Sequence, residues 1–168
     1  MLQALSGPLS YPSTSQERQM KKTILSTLAA TTLVVAASAQ AVSFKKPEDA
    51  VKYRQSTFSV MATHFGDIGA MVKGDKPFDA KVAAANADIV ATLSALPWAA
   101  FGPGTEGGKA KPAIWKEMDK VKAGADEFQK AAAALKTAAA SGNLDNIKKA
   151  FAATQKTCKS CHDSYKDK

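Results

Sequence analysis

Between Pro47 and Lys73 apolar side chains recur every seven residues, at Val51, Phe58, Phe65 and Val72, with Met61 and Ile68 between them. Seven residues are close to two turns of α-helix, so the spacing lays one apolar stripe along a single helix. Pro47, Glu48 and Asp49 suit its first turn and Gly74 its end. A second segment, Pro77 to Leu96, repeats the pattern with Phe78, Val82, Ile89, Leu93 and Leu96, and Pro97 is expected to stop it. From Pro97 to Pro112 the chain reads as a loop, because five glycines or prolines fall between Gly102 and Gly108 and oppose regular structure. A connection of that length in a compact domain tends to carry function. A third helix is predicted from near Pro112, with Ile114, Met118, Val121, Ala125, Phe128 and Leu135 on one face. Ser141-Gly142-Asn143 ends it. A fourth follows with Leu144, Ile147, Phe151, Thr154, Cys158, Cys161 and Tyr165 inward. Almost nothing reads as a strand. The pattern therefore predicts an all-α protein, an antiparallel up-down-up-down four-helix bundle.

The first 41 residues stand outside this pattern. Lys21 and Lys22 precede an apolar run from Ile24 to Ala37, and Ala39-Gln40-Ala41 offers small residues for a signal peptidase. The run is too short to span a bilayer. Residues 1–41 are accordingly read as a signal peptide with an N-terminal extension, removed after Ala41, and 42–168 as one domain. That places the protein in the periplasm, with no membrane association after cleavage. Three of the 23 basic residues and one of the 15 acidic ones leave with the presequence, so the remainder has a net charge of +6. The lysines are dispersed and no arginine cluster is present, which argues against nucleic acid and leaves acidic redox partners open.

Chemistry concentrates at the C-terminus. The chain has two cysteines, Cys158 and Cys161, and His162 follows the second directly. A thioredoxin-like disulfide would want a strand-to-helix junction, which the pattern does not supply. Structural zinc needs four ligands, and beyond these three only His64 is a soft one in residues 42–168. Covalent haem fits best. Two thiols one helical turn apart can form thioethers to two vinyl groups while the next imidazole reaches the iron.

With PEDAVKYRQS, SALPWAAFGPGTEGG and CKSCHDSYK, the sequence resembles cytochrome c′, a class II c-type cytochrome whose CxxCH lies near the C-terminus of a four-helix bundle. The resemblance covers essentially all of 42–168. It implies one haem c on Cys158 and Cys161 with His162 as axial iron ligand. In low-spin relatives a first-helix methionine closes the other side of the iron, and the position matching it here is Phe58, which cannot ligate. The resemblance thus implies five-coordinate, high-spin iron with Phe58, Met61 and Phe101 in the distal pocket, Trp98 packed close by, Arg54 and Gln55 toward a haem propionate, and Lys166 on the proximal side. His64 falls about a third of a turn off the stripe and reads as a helix-edge residue; Met61, Met71 and Met118 are the remaining candidate ligands.

The expected activity is binding of nitric oxide and carbon monoxide together with electron transfer to an unidentified periplasmic redox partner. The alternative is a low-spin, six-coordinate electron carrier. No acid–base pair is visible on the first-helix face, so the protein is not expected to be an enzyme. Family resemblance also implies a homodimer through the first two helices.

Overall fold

The computed structural model describes residues 42–168, so the expected presequence and its cleavage site lie outside the described residues. Four long helices and one short helix account for most of these residues: α1 (Pro47–Lys73), α2 (Ala80–Leu93), α3 (Ala113–Lys116), α4 (Met118–Ala140) and α5 (Leu144–Tyr165). In the bundle α1 packs on α2, α2 on α4, α4 on α5 and α5 back on α1, which closes the antiparallel ring.

The ends of α1 fall where its sequence marks them. Pro47 opens the helix, Glu48 and Asp49 occupy the first turn, and Gly74 closes it at φ 82°, a left-handed conformation that glycine adopts without a Cβ penalty. Helix α2 is shorter than its apolar pattern. It starts at Ala80 because the Asp79 carboxylate accepts from the backbone N–H groups of Lys81 (2.9 Å) and Val82 (3.0 Å). Its buried face also differs from the expected stripe. Ala83, Asn86, Ala87 and Val90 point inward, whereas Val82 and Leu96 are each 40% exposed. Small residues let α2 approach its neighbours closely, and that choice overrides the larger side chains.

Pro97 does not lead straight into a loop. It starts a 3-10 turn, Pro97–Phe101, that lies against α1. The third predicted helix breaks at Glu117, with φ −121° and ψ 36°, into α3 and α4. At the far end of the bundle Ile68, Leu135 and Ile147 are fully buried. There the rings of Phe65 and Phe151 stack at 4.2 Å and 11°. Gly69 permits that stack, since a Cβ there would stand 3.0 Å from the Phe151 ring. Although Ala80–Phe101 is long and apolar enough to cross a bilayer by composition, it is interrupted after Leu93 and belongs to the bundle.

Candidate functional site

At the other end the helices splay around a cavity of about 560 Å³, within the range that encloses a cofactor-sized group. All nine residues singled out from the sequence line it: Arg54, Gln55, Phe58, Met61, Phe101, Cys158, Cys161, His162 and Lys166. Segments more than a hundred residues apart thus meet at one place.

Helix α5 supplies one wall. Asn143 caps its start by accepting from the Asn146 N–H at 3.0 Å, and the helix runs unbroken to Tyr165, so Cys158 and Cys161 sit one turn apart. Both thiols are free and half-buried. Burial raises the pKa of each, which keeps them as thiols and away from the activated thiolate of a disulfide-exchange site. Burial also lowers the pKa of His162; Lys166 adds to the effect and Asp163 opposes it, favouring the neutral ring whose lone pair a metal needs. Among the described residues no group of three His, Cys, Asp or Glu side chains forms a metal cluster, so the zinc alternative gains no further ligands.

Another wall is aromatic. Phe58 meets Trp98 edge-on, with ring centroids 5.9 Å apart at 78°, and lies 6.5 Å from Phe101. Trp98 also meets Phe128 at 6.3 Å and donates its indole N–H to the Ser94 carbonyl at 2.6 Å. Met61 is buried among Val90, Phe128 and Ala132 and borders the same space. Met71 belongs to the opposite core, and Met118 packs by Phe101, Ile114 and Val121.

His64 is engaged elsewhere. Its Nδ1 lies 2.7 Å from Asn86 Oδ1, while Asn86 Nδ2 and Lys76 Nζ each donate to the Asp67 carboxylate at 2.7 Å. These bonds, the one from Lys76 foremost, hold the Asp67 carboxyl below the usual carboxylate range. The network ties α1 to α2 and leaves His64 outside the residues that line the cavity.

Arg54, which the resemblance sets toward a propionate, lines the cavity and is also held by backbone carbonyls. Only 3% of it is exposed, and its guanidinium donates to the carbonyls of Ala100 (2.6 Å), Thr105 (2.6 Å) and Gly107 (2.8 Å). It also lies over the rings of Phe101 at 4.7 Å and Trp115 at 5.5 Å. Burial pushes its pKa down and the Glu106 carboxylate pushes it back up. Three of its five N–H groups are spent on one loop. Gln55, its neighbour, reaches the cavity rim beside Gly108.

Sequence reasoning missed part of the lining. Gly66 on α1 and Gly124 on α4 both border the cavity, and nothing lies within 4 Å of where a Cβ would stand on either. Glycine inside a helix costs roughly 1 kcal/mol relative to alanine, which is the signal that could have marked them. Side-chain-free helix flanks beside two thiols and an imidazole are what a flat, thiol-anchored macrocycle requires, and the residues present fit a haem.

The profile of the Cytochrome C' family matches residues 49–166. The chain belongs to this family. It is 51% identical over 125 residues to cytochrome c' from Alcaligenes xylosoxydans xylosoxydans, covering 74% of this chain and 98% of the relative. Against cytochrome c' from Rubrivivax gelatinosus it is 50% identical over 128 residues, covering 74% and 99%. Among solved structures, the nitric oxide complex of a leucine-to-alanine mutant of cytochrome c prime from Alcaligenes xylosoxidans superposes with a TM-score of 0.72. It is 51% identical and covers 75% of this chain and 99% of its own. As a cytochrome c' this chain is a four-helix-bundle, c-type haem protein.

Proposed function

We propose that this cytochrome c' holds one haem by thioethers from Cys158 and Cys161, with His162 as the single protein ligand to a five-coordinate, high-spin iron, and that it binds nitric oxide and carbon monoxide on the Phe58 side. When bound, such a group supplies a metal centre that can take up a diatomic ligand and change oxidation state by one electron. The observation that carries this reading is the composition of the aromatic wall: Phe58, Trp98, Phe101 and Phe128 offer the iron no donor atom, and His64 is held by Asn86. The same wall offers a bound gas no hydrogen-bond donor, which disfavours lasting dioxygen capture and leaves no acid–base pair for turnover. Binding and electron transfer, rather than catalysis, are the activities we assign. That the solved relative is a nitric oxide complex supports the choice of gas.

Export to the periplasm with removal of residues 1–41 belongs to the same proposal, on the strength of Lys21 and Lys22, the apolar run from Ile24 to Ala37 and the small residues of Ala39-Gln40-Ala41. Isolated from the periplasmic fraction, the protein is expected to have the mass of 42–168 plus one haem. After dithionite reduction its spectrum should show a broad Soret envelope and poorly resolved visible bands. A sharp, intense α-band would overturn the five-coordinate reading and make Met61 the ligand to test next. A spectrum without haem bands would overturn haem attachment itself.

The homodimer is likewise proposed, through α1 and α2. Val60 is 48% exposed and Val82 40%, both large apolar residues on these two helices. Replacing both, Val60→Lys with Val82→Lys, is expected to halve the mass measured by light scattering at micromolar concentration. An unchanged mass would move the interface, if any, to another face.

A further inference from the structure

The phenols and indoles of residues 42–168, Tyr53, Trp98, Trp115 and Tyr165, are its most readily oxidised aromatic side chains. Loss of an electron makes each of them strongly acidic, so the group that takes the proton decides which one is a usable donor. Trp98 and Trp115 donate their indole N–H groups to the carbonyls of Ser94 (2.6 Å) and Gly102 (3.0 Å), and an amide oxygen is too weak a base to take a proton. Tyr53 packs on Phe44, outside the residues that line the haem cavity. Tyr165 lines that cavity, and its O–H donates to the Glu117 carboxylate at 2.7 Å, the length of a charge-assisted bond.

Two segments make this pair. Tyr165 ends α5 one turn after His162, with its carbonyl accepting from the Lys111 N–H at 2.9 Å and its ring against Phe101, Ile114 and Val121. Glu117 stands at the break between α3 and α4, 41% exposed, with Lys120 Nζ 3.3 Å from the oxygen that the phenol meets. The phenol foremost, and then Lys120, hold the Glu117 carboxyl below the usual carboxylate range, so the acceptor is ionised and open to solvent. The same bond holds the phenol above its usual range, and Tyr165 keeps its proton until an electron leaves.

We infer that Tyr165 is a redox-active residue, which gives one electron toward the haem and its phenolic proton to Glu117 when the ferrous protein meets hydrogen peroxide. The inference rests on the haem reading above. Hydrogen peroxide takes up two electrons: one from the ferrous iron, which becomes ferric, and one from Tyr165, which becomes a neutral tyrosyl radical as its proton moves to Glu117. The O–O bond breaks, and two protons from solvent complete two molecules of water. Glu117, being exposed, then returns its proton to solvent. One equivalent of peroxide is consumed and no catalytic cycle follows, in keeping with the lack of an acid–base pair on the aromatic wall. Tyr165 takes up the oxidising equivalent that otherwise stays on the haem.

The test is to mix the ferrous holoprotein, freed of reductant, with one equivalent of hydrogen peroxide and a nitroso spin trap, and to locate the trapped radical by peptide mass spectrometry. The adduct is expected on Tyr165, and Tyr165→Phe, which keeps the ring and loses the hydroxyl, should lose it. Glu117→Gln keeps a hydrogen-bond acceptor but not a base. It should lower the Tyr165 adduct about tenfold or more, since a positioned base contributes roughly 100- to 10,000-fold in rate. An adduct on Tyr53, Trp98 or Trp115 in place of Tyr165, equal labelling of Tyr53 and Tyr165, or an undiminished Tyr165 adduct in Glu117→Gln would each overturn the proposal. The absorption spectrum of the same sample separates the two readings. A sample without haem bands fails at the haem reading, and this inference falls with it; a sample with haem bands and no adduct on Tyr165 fails here alone.

Discussion

Phe58→Ala is expected to accelerate carbon monoxide association with the ferrous protein by about 10- to 100-fold. For a diatomic to reach the iron on this side, the Phe58 ring must swing out of its contacts with Trp98, 5.9 Å away and edge-on, and with Phe101 at 6.5 Å. Each aromatic pair contributes roughly 0.5–1.5 kcal/mol beyond simple burial, so displacing the ring forfeits about 1–3 kcal/mol. Every 1.4 kcal/mol of barrier is about tenfold in rate. Stopped-flow mixing with carbon monoxide measures this directly, and an unchanged rate would remove Phe58 from the path of entry. The reduced spectrum of the same variant adds a second outcome. Met61 borders the cavity one turn further along α1, and a sharp α-band appearing in Phe58→Ala would show that Phe58 also keeps the Met61 thioether off the iron.

Arg54→Leu is expected to cost about 3 kcal/mol of stability and to lower the melting temperature by about 10 °C. The loop after the 3-10 turn holds Gly104, Gly107 and Gly108 at positive φ, so little in its own backbone keeps it in place. One guanidinium satisfies the carbonyls of Ala100, Thr105 and Gly107 at once, and leucine would leave all three to find water. Lysine keeps the charge but not the planar fork, and Arg54→Lys should recover less than half of the loss. Amide exchange of residues 102–108 in the folded protein should rise in both variants. If Arg54→Leu melted within about 2 °C of the parent, the loop would be held by other contacts, such as the Trp115 indole N–H donating to the Gly102 carbonyl at 3.0 Å. Because Phe101 lies on the same loop segment and under the guanidinium, this variant should also bind carbon monoxide faster, though by less than Phe58→Ala.

Arg54 shows where reading from sequence stops. An arginine on an apolar stripe does demand an acceptor, and that much is local. Which acceptor is settled by contacts 46 to 53 residues away, where a glycine-rich loop presents carbonyls that bend the guanidinium to itself. These carbonyls take three of its donors and hold it where it lines the cavity. His64 went the other way: its angular offset on α1 already set it apart from the site, and Asn86 on α2 then gave it a bond of its own.

The α-helices were legible because a seven-residue apolar period, a proline at the start and glycine at the end are properties of a few turns of chain. CKSCH was legible for the same reason, since thiol, thiol and imidazole are spaced within a single helical turn. Tertiary structure alone decided three other features. It set the inward face of α2, where Ala83 and Ala87 displace Val82 because helices approach as closely as their smallest side chains allow. It gave Gly66 and Gly124 their meaning, as neither faces open space until α1 and α4 are brought to one cavity. And it gathered Lys109 and Lys111 with Lys166 and Lys168, a juxtaposition made by two backbone hydrogen bonds that span 53 and 57 intervening residues, which no local periodicity encodes.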